Sequence, residues 1–230
     1  MANGSIANII KEIQKDKLST DYIRFFRGQE SIHWRLLPSL FREKQFKDNE
    51  YNIYHDIISK CSDEFKHCSS DFDKMVKMQH YGIPTRLLDI TTNLIVALYF
   101  ACQDCNPKEN AVIYRFDVSK ADILYFDSKK VQEQISITNI NKLDNDLAIY
   151  CIIPELSNPR IIRQSGAFFW FNDSAADLTK LYPYKSYEIS KSHKKNMREQ
   201  LNNMGINMSQ YFPELDKVAE EIRTKYKLMK

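Results

Sequence analysis

The sequence predicts an α+β fold in which helices of the N-terminal half pack on a mixed or antiparallel sheet built mainly from the second half. Apolar residues recur at helical spacing in the first hundred residues, whereas alternating aromatic and β-branched segments follow later. These segments do not alternate regularly between strand and helix, and no internal repeat is visible. At 230 residues and 43% hydrophobic content, the chain suits a single domain over 1–230.

Apolar periodicity and punctuating residues place the helices. Gly82 and Pro84 are expected to end one helix, and Thr91 or Thr92 is the expected N-cap of an apolar core helix. The predicted helices cover about 5–16, 38–43, 49–68, 75–81, 94–102, 193–204 and 214–228.

Short runs of aromatic and β-branched residues predict the strands. The predicted strands are YIRFFRG (22–28), RLLDI (86–90), AVIYRFDV (111–118), ILYF (123–126), AIYCII (148–153), AFFWF (167–171) and KSYEIS (185–190).

Composition argues against several classes of function. A net charge of +3 with interspersed acids and bases argues against a nucleic-acid partner. The longest apolar run, 94–102, is too short to cross a bilayer, and the N-terminus lacks the pattern of a signal peptide. We therefore expect a cytoplasmic protein with no membrane partner.

Five cysteines without a secretory context predict free thiols, and the pair Cys102 and Cys105 lacks the second ligand pair of a zinc site. The oligomeric state is left open.

Glycine and arginine are scarce, and they occur together. The chain has five glycines, and ten arginines against 23 lysines. Arg27 lies among aromatic residues just before Gly28 and Gln29 in FFRGQ, so it is expected either to clamp an anion or to pair with Asp89.

The segment QHYGIPTRLLDITT forms a polar loop at Gly82 and Pro84. Its residues either join the loop to the sheet or line a site, and the N-terminus of the following helix favours an anion. Gln164, just before a glycine and an aromatic strand, is suited to hold a ribose hydroxyl or a backbone amide, but not to act as an acid or base.

Four segments resemble the bacterial FRG-domain family: FFRG, MQHYGIPTRLLDITTNLIVALYFA, RIIRQSGAFF and LNNMGINMSQYFPELDKVA. The resemblance covers about 22–219, with the first and last helices as extensions. The family resembled is largely uncharacterised and is often found in mobile or defence-related gene contexts, so it implies no particular reaction.

A more distant resemblance is to ADP-ribosyltransferases of the Arg/Ser/Glu type, which split NAD at the nicotinamide ribose. It implies an ADP-ribosyltransferase-like fold in which Arg27 holds phosphates, Thr91 and Thr92 position the ribose, and Gln164 stands where the catalytic Glu region would be. The sequence departs from that pattern because no Glu-x-Glu or Gln-x-Glu precedes the third strand. Glu155 and Glu188 are the nearest alternatives.

Two functions follow as hypotheses. The first is an NAD-cleaving or ADP-ribosyltransferase-like effector with a nucleotide or NAD as substrate, a possible protein acceptor, and no prosthetic cofactor or metal. The second is a non-catalytic ligand- or partner-binding module on the same scaffold. The candidate catalytic residues are Gln164 and Asp89. The candidates for substrate or anion binding are Arg27, Gly28, Gln29, His80, Tyr81, Thr85, Arg86, Thr91 and Thr92.

Overall fold

The computed structural model describes residues 5–103, 108–128, 131, 135, 137, 148–156, 159–172 and 174–212. Its strands are β1 (Tyr22–Gln29), β2 (Leu87–Thr91), β3 (Ala111–Ser119), β4 (Ile123–Tyr125), β5 (Ile149–Ile153), β6 (Gly166–Phe171) and β7 (Tyr184–Ile189). They form one sheet in the order β4-β5-β6-β2-β1-β3-β7, antiparallel throughout except between β4 and β5. This confirms the predicted α+β fold with a mixed sheet.

The helices cover the two halves of the sheet separately. They are α1 (Ile6–Gln14), α2 (Lys44–Asp48), α3 (Glu50–Lys60), α4 (Ser62–Phe65), α5 (Asp71–His80), α6 (Leu94–Ala101), α7 (Pro159–Gln164), α8 (Leu178–Leu181), α9 (Lys191–Asn203) and α10 (Met208–Tyr211). Short 3-10 helices span Ser39–Phe41 and Lys120–Asp122. The first, sixth and ninth helices pack on β1, β3 and β7, whereas α3, α4 and α5 pack on β2, β6 and β5. No helix within the described residues is long and apolar enough to span a membrane.

The sheet is strongly bent between its two halves. The rings of Phe116 on β3 and Phe169 on β6 lie with centroids 5.2 Å apart, although two strands separate β3 from β6. A flat sheet would hold such positions roughly 14 Å apart, at about 4.8 Å per strand. Where the halves meet, β1 and β2 pair only at Phe26 and Thr91. The bend therefore limits the β1–β2 ladder to one position.

Three details differ from the sequence-based expectation. The long helix predicted over 49–68 is interrupted at Cys61, whose φ of −130° is not helical, so α3 and α4 are separate. The N-cap of α6 is Asn93, which accepts from the amide of Ile95 at 2.9 Å, because Thr91 still belongs to β2. The short helices α2, α7, α8 and α10 were not predicted. The helix predicted over 214–228 lies outside the described residues.

Asp16, just after α1, connects this helix to the sheet through ion pairs. Its Oδ2 accepts from Lys185 Nζ at 2.7 Å and from Arg115 Nη1 at 2.6 Å. These bonds lower the pKa of Asp16 to about 2. Because this folded-state pKa lies below the unfolded value of about 3.9, the ionised carboxylate stabilises the fold above pH ~4. That contribution is lost as the pH falls toward 2.

Replacing Asp16 with asparagine is expected to lower the free energy of unfolding at neutral pH and to weaken its decline between pH 4 and pH 2. Urea unfolding at a series of pH values measures both effects. Asp48→Asn, which changes an exposed carboxylate on α2, is the matched control and should leave the profile unchanged. An Asp16→Asn profile as steep as that of the wild type would contradict this assignment.

Candidate functional site

A cavity of about 180 Å³ opens where the β1–β2 ladder ends. One wall is formed by 26–30, the opposite wall by 89–91, and a third by Val96, Ala97 and Phe100 of α6. A cavity of roughly 150 Å³ holds a benzene-sized ring. The cavity therefore admits one ring or one phosphate-sized group, and a larger ligand has to extend along the adjoining surface.

Arg27 crosses the opening between the two strands. Its Nη1 donates to the main-chain oxygen of Asp89 at 2.7 Å. This bond connects β1 to β2 where the ladder has no further main-chain pairing. The expected ion pair between the Arg27 and Asp89 side chains is replaced by this contact with the main chain. When the Gln29 amide is oriented so that both its oxygen and its nitrogen have partners, its oxygen accepts from Arg27 Nε at 3.2 Å. Among the described residues, no acceptor is found for Arg27 Nη2. Burial lowers the pKa of Arg27 to about 10, so the side chain is still cationic at neutral pH.

Two carboxylates open onto the cavity, and a glutamine amide holds each of them. Gln79 Nε2 donates to Asp89 Oδ2 at 2.9 Å, and Gln103 Nε2 donates to Glu30 Oε1 at 2.5 Å. Within the described part of the chain, the second oxygen of each carboxylate accepts no hydrogen bond. Ionised carboxylates only accept, so these oxygens are suited to hydroxyl groups or to a developing positive charge.

Arg42 and Arg160 add positive charge to the cavity. Arg42 donates through Nε and Nη2 to the Leu37 carbonyl at 3.2 Å, and Arg160 Nη1 donates to the His80 carbonyl at 2.9 Å. The Leu37 carbonyl does not neutralise the charge of Arg42. Arg42 therefore places a second cation beside Arg27 in the cavity lining, which favours an anionic group.

Trp34 gives the cavity an aromatic edge. Its side chain is 52% exposed, which is unusual for so large an apolar group. The residue also lines an adjacent hollow of about 320 Å³, and Arg42 is shared between the two spaces. An exposed indole beside cations is suited to stack on a planar ring while the cations hold an anion.

Thr91 and Gln164 line the same cavity, as does Gly28, but both polar side chains are engaged with the main chain. Thr91 Oγ1 donates to the Gln164 carbonyl at 2.6 Å and accepts from the Asn93 amide at 2.9 Å. Gln164 Nε2 donates to the Tyr211 carbonyl at 3.2 Å. These bonds attach α7 and α10 to β2. The Gln164 side-chain oxygen is the atom left to face a ligand.

Arg86 lies away from the cavity. Its Nε and Nη2 form a fork with Glu50 Oε1 and Oε2 at 2.5 and 2.6 Å, and its Nη1 donates to the carbonyls of Phe171 and Asn172. Only 9% of its side chain is exposed. Arg86 therefore joins the start of β2 to α3 and the end of β6, and it does not line the cavity, contrary to its predicted place in the anion site.

Breaking the Arg86–Glu50 pair is expected to destabilise the fold without changing the cavity. Because Arg86→Met leaves Glu50 and two carbonyls without their donor, the free energy of unfolding should fall by about 3–5 kcal/mol. Arg163→Met, which removes an exposed arginine whose hydrogen bonds within the described residues go to main-chain oxygens, is the control. A loss below 1 kcal/mol, measured by urea unfolding, would refute a structural role for the pair.

The other predicted residues of this loop also lie outside the cavity. Thr85 is buried and donates to the Gln79 side-chain oxygen, so it fixes β2 to α5. Tyr81 and Thr92 are exposed, and neither lines the cavity. His80 lines a smaller neighbouring hollow of about 30 Å³, together with Asp89 and Gln164.

Several cavity residues were not selected from the sequence: Glu30, Trp34, Arg42, Phe100, Gln103 and Arg160. Two of them could have been selected from the sequence. Glu30 directly follows FFRGQ, and Trp34 is one of only two tryptophans in the chain. The core-helix interpretation of 94–102 was incomplete, because one side of α6 forms a cavity wall. Glu155 and Glu188, the alternative catalytic carboxylates, do not line the cavity. The described residues contain no cluster able to hold a metal ion.

Comparison with protein families supplies the classification. The model of the FRG domain matches residues 23–110. The chain carries an FRG domain. A search of curated proteins finds no match, and neither does a search of solved structures.

The FRG domain match includes most of the cavity. It runs from β1 to the residue before β3, so Arg27, Glu30, Trp34 and Asp89 fall within it. Arg160 and Gln164 come from α7, beyond the matched residues. The cavity is therefore built by the FRG domain and completed by the following part of the chain.

Proposed function

We propose that the FRG domain of this chain binds a nucleotide in the cavity between β1 and β2. The observation that carries this proposal is Arg27, a half-buried cation whose Nη2 has no described acceptor, in a cavity edged by the exposed Trp34. A nucleotide combines an anion with a planar ring. Arg27 and Arg42 suit its phosphates, and the indole suits its base.

The size of the site is consistent with this ligand. The cavity of about 180 Å³ is smaller than the ~300–1,000 Å³ of ordinary small-molecule sites. The adjoining hollow of about 320 Å³ beyond Trp34 and Arg42 brings the space into that range. A dinucleotide such as NAD then lies across both, with its pyrophosphate near the arginines.

Asp89 favours a second function, cleavage of NAD. In that reaction water attacks the carbon bonded to nicotinamide, the nicotinamide leaves with the bonding electrons, and the products are ADP-ribose, nicotinamide and a proton. Positive charge develops on the ribose, and a carboxylate with an open oxygen stabilises it. A protein acceptor in place of water makes the same step an ADP-ribosyl transfer. NAD loss in the cytoplasm would suit a toxin-like or defence effector.

Two measurements test these functions together. Calorimetric titration with ADP, ADP-ribose and NAD should show saturable binding, and chromatography of NAD incubated with the protein should show released nicotinamide if Asp89 acts in cleavage. Asp89→Asn should then lose turnover and retain ADP binding. Binding without turnover supports the non-catalytic module. No binding of any of the three nucleotides overturns the proposal.

A further inference from the structure

Glu30 occupies a position in the cavity that the proposed function leaves unexplained. It follows β1 directly, lines the cavity and is half-buried. A carboxylate beside a phosphate site weakens anion binding by like-charge repulsion. Its placement therefore calls for a ligand group that a carboxylate recognises.

The surrounding structure holds Glu30 at two points. Gln103, just after α6, donates to Oε1 at 2.5 Å, and Lys194 Nζ on α9 donates to the Glu30 main-chain oxygen at 3.0 Å. Lys194 is only 1% exposed, so its charge is held in the interior for this contact. Arg198 in turn donates to the Gln103 carbonyl. An exposed, solvated carboxylate would not require these contacts. Burying a lysine costs free energy unless its ammonium group makes a stabilising hydrogen bond.

Three residues that line the cavity offer the kinds of group that a nucleotide needs. Arg27, Glu30 and Trp34 supply a cation, a hydrogen-bond acceptor and an aromatic ring. A nucleotide presents a phosphate, a ribose with hydroxyl donors and a planar base. The vicinal hydroxyls of ribose are donors, and carboxylates recognise them in other nucleotide sites.

We infer that Glu30 binds the ribose hydroxyls of the nucleotide and selects ribonucleotides over 2′-deoxyribonucleotides, with Gln103 and Lys194 as the residues that position it. This inference rests on the proposed nucleotide-binding function. The open oxygen Oε2 accepts from the 2′-hydroxyl, while Oε1 stays bonded to Gln103. Glu30 is thus a specificity-determining residue distinct from Asp89 on the opposite wall.

The test compares the affinities for ADP and 2′-deoxy-ADP by calorimetry. A hydrogen bond to a charged group predicts a wild-type preference for ADP of about 10- to 100-fold. Glu30→Gln should reduce the preference to about threefold or less, without lowering affinity for inorganic pyrophosphate. Glu199→Gln, an exposed glutamate on α9, should keep the full preference.

Lys194→Met tests the positioning role, with Lys195→Met as its exposed control on the same helix. The positioning role is supported if Lys194→Met loses the preference for ADP over 2′-deoxy-ADP but keeps its affinity for pyrophosphate. A lysine with a purely structural role would not change the ratio of these two nucleotide affinities selectively. A wild-type protein that binds both nucleotides equally, or a Glu30→Gln variant with the full preference, overturns the inference and leaves the nucleotide site standing. Failure of the wild type to bind either nucleotide overturns both.

Discussion

Replacing Arg27 with alanine is expected to reduce affinity for ADP by about 10- to 100-fold. The estimate follows from about 1.5–3 kcal/mol for a hydrogen bond involving an ionised group, at 1.4 kcal/mol per factor of ten. Arg27 is the cation that spans the strand opening, and its Nη2 lacks a described acceptor. Calorimetric titration measures the change.

Two further variants separate charge from geometry at this position. Arg27→Lys keeps the charge but lacks the planar fork, so intermediate affinity is expected. Arg163→Ala removes an exposed arginine of α7 that does not line the cavity and should bind ADP as the wild type does. If Arg27→Ala is folded and binds ADP normally, the cavity is not the phosphate site.

The largest expected effect on stability comes from Gly28→Ala. An added Cβ would lie 1.8 Å from the Ala97 carbonyl oxygen and 2.9 Å from the Ala101 amide nitrogen. These are main-chain atoms of α6, which no rotamer change moves aside. We expect a loss of at least about 3 kcal/mol, the upper end of ordinary overpacking. Urea unfolding, or the soluble yield if the variant does not fold, measures it.

Gly166→Ala is the matched control in the same sheet. Its added Cβ meets nothing closer than 3.6 Å, which is ordinary van der Waals contact, and its φ is not positive. The substitution should therefore change the free energy of unfolding by less than about 1 kcal/mol. Equal effects of the two substitutions would show that close approach of β1 and α6 is not what requires glycine at position 28.

Local sequence signals predicted the secondary structure and one side of the site. Alternation defined the strands, and the scarcity of glycine drew attention to Gly28 and to Arg27 beside it. Gly28 predicts close backbone approach, and this is confirmed because a Cβ at this position would collide with the main chain of Ala97. The loop after α5 was also predictable from Gly82 and Pro84. The φ of +78° at Gly82 confirms that the backbone turns there in a conformation that favours glycine.

The remaining residues of the site depend on distances that the sequence does not contain. Arg86 was assigned to anion binding because its partner Glu50 lies 36 positions away and nothing local indicates the pair. Arg42, Arg160 and Glu30 come from distant parts of the chain and meet only in the folded structure, at one cavity. Thr91 looked like a helix cap because the end of β2 is not marked by a proline or glycine.

Tryptophan fluorescence during titration with ADP tests the nucleotide site most directly. The protein has two tryptophans, and Trp170 is fully buried in the core, so a ligand in the cavity acts on the emission of Trp34 alone. We expect a saturable change in the wild type that is absent from Trp34→Phe and strongly weakened in Arg27→Ala. If calorimetry shows that ADP binds but the emission of Trp34 does not change, a nucleotide site at this cavity is contradicted.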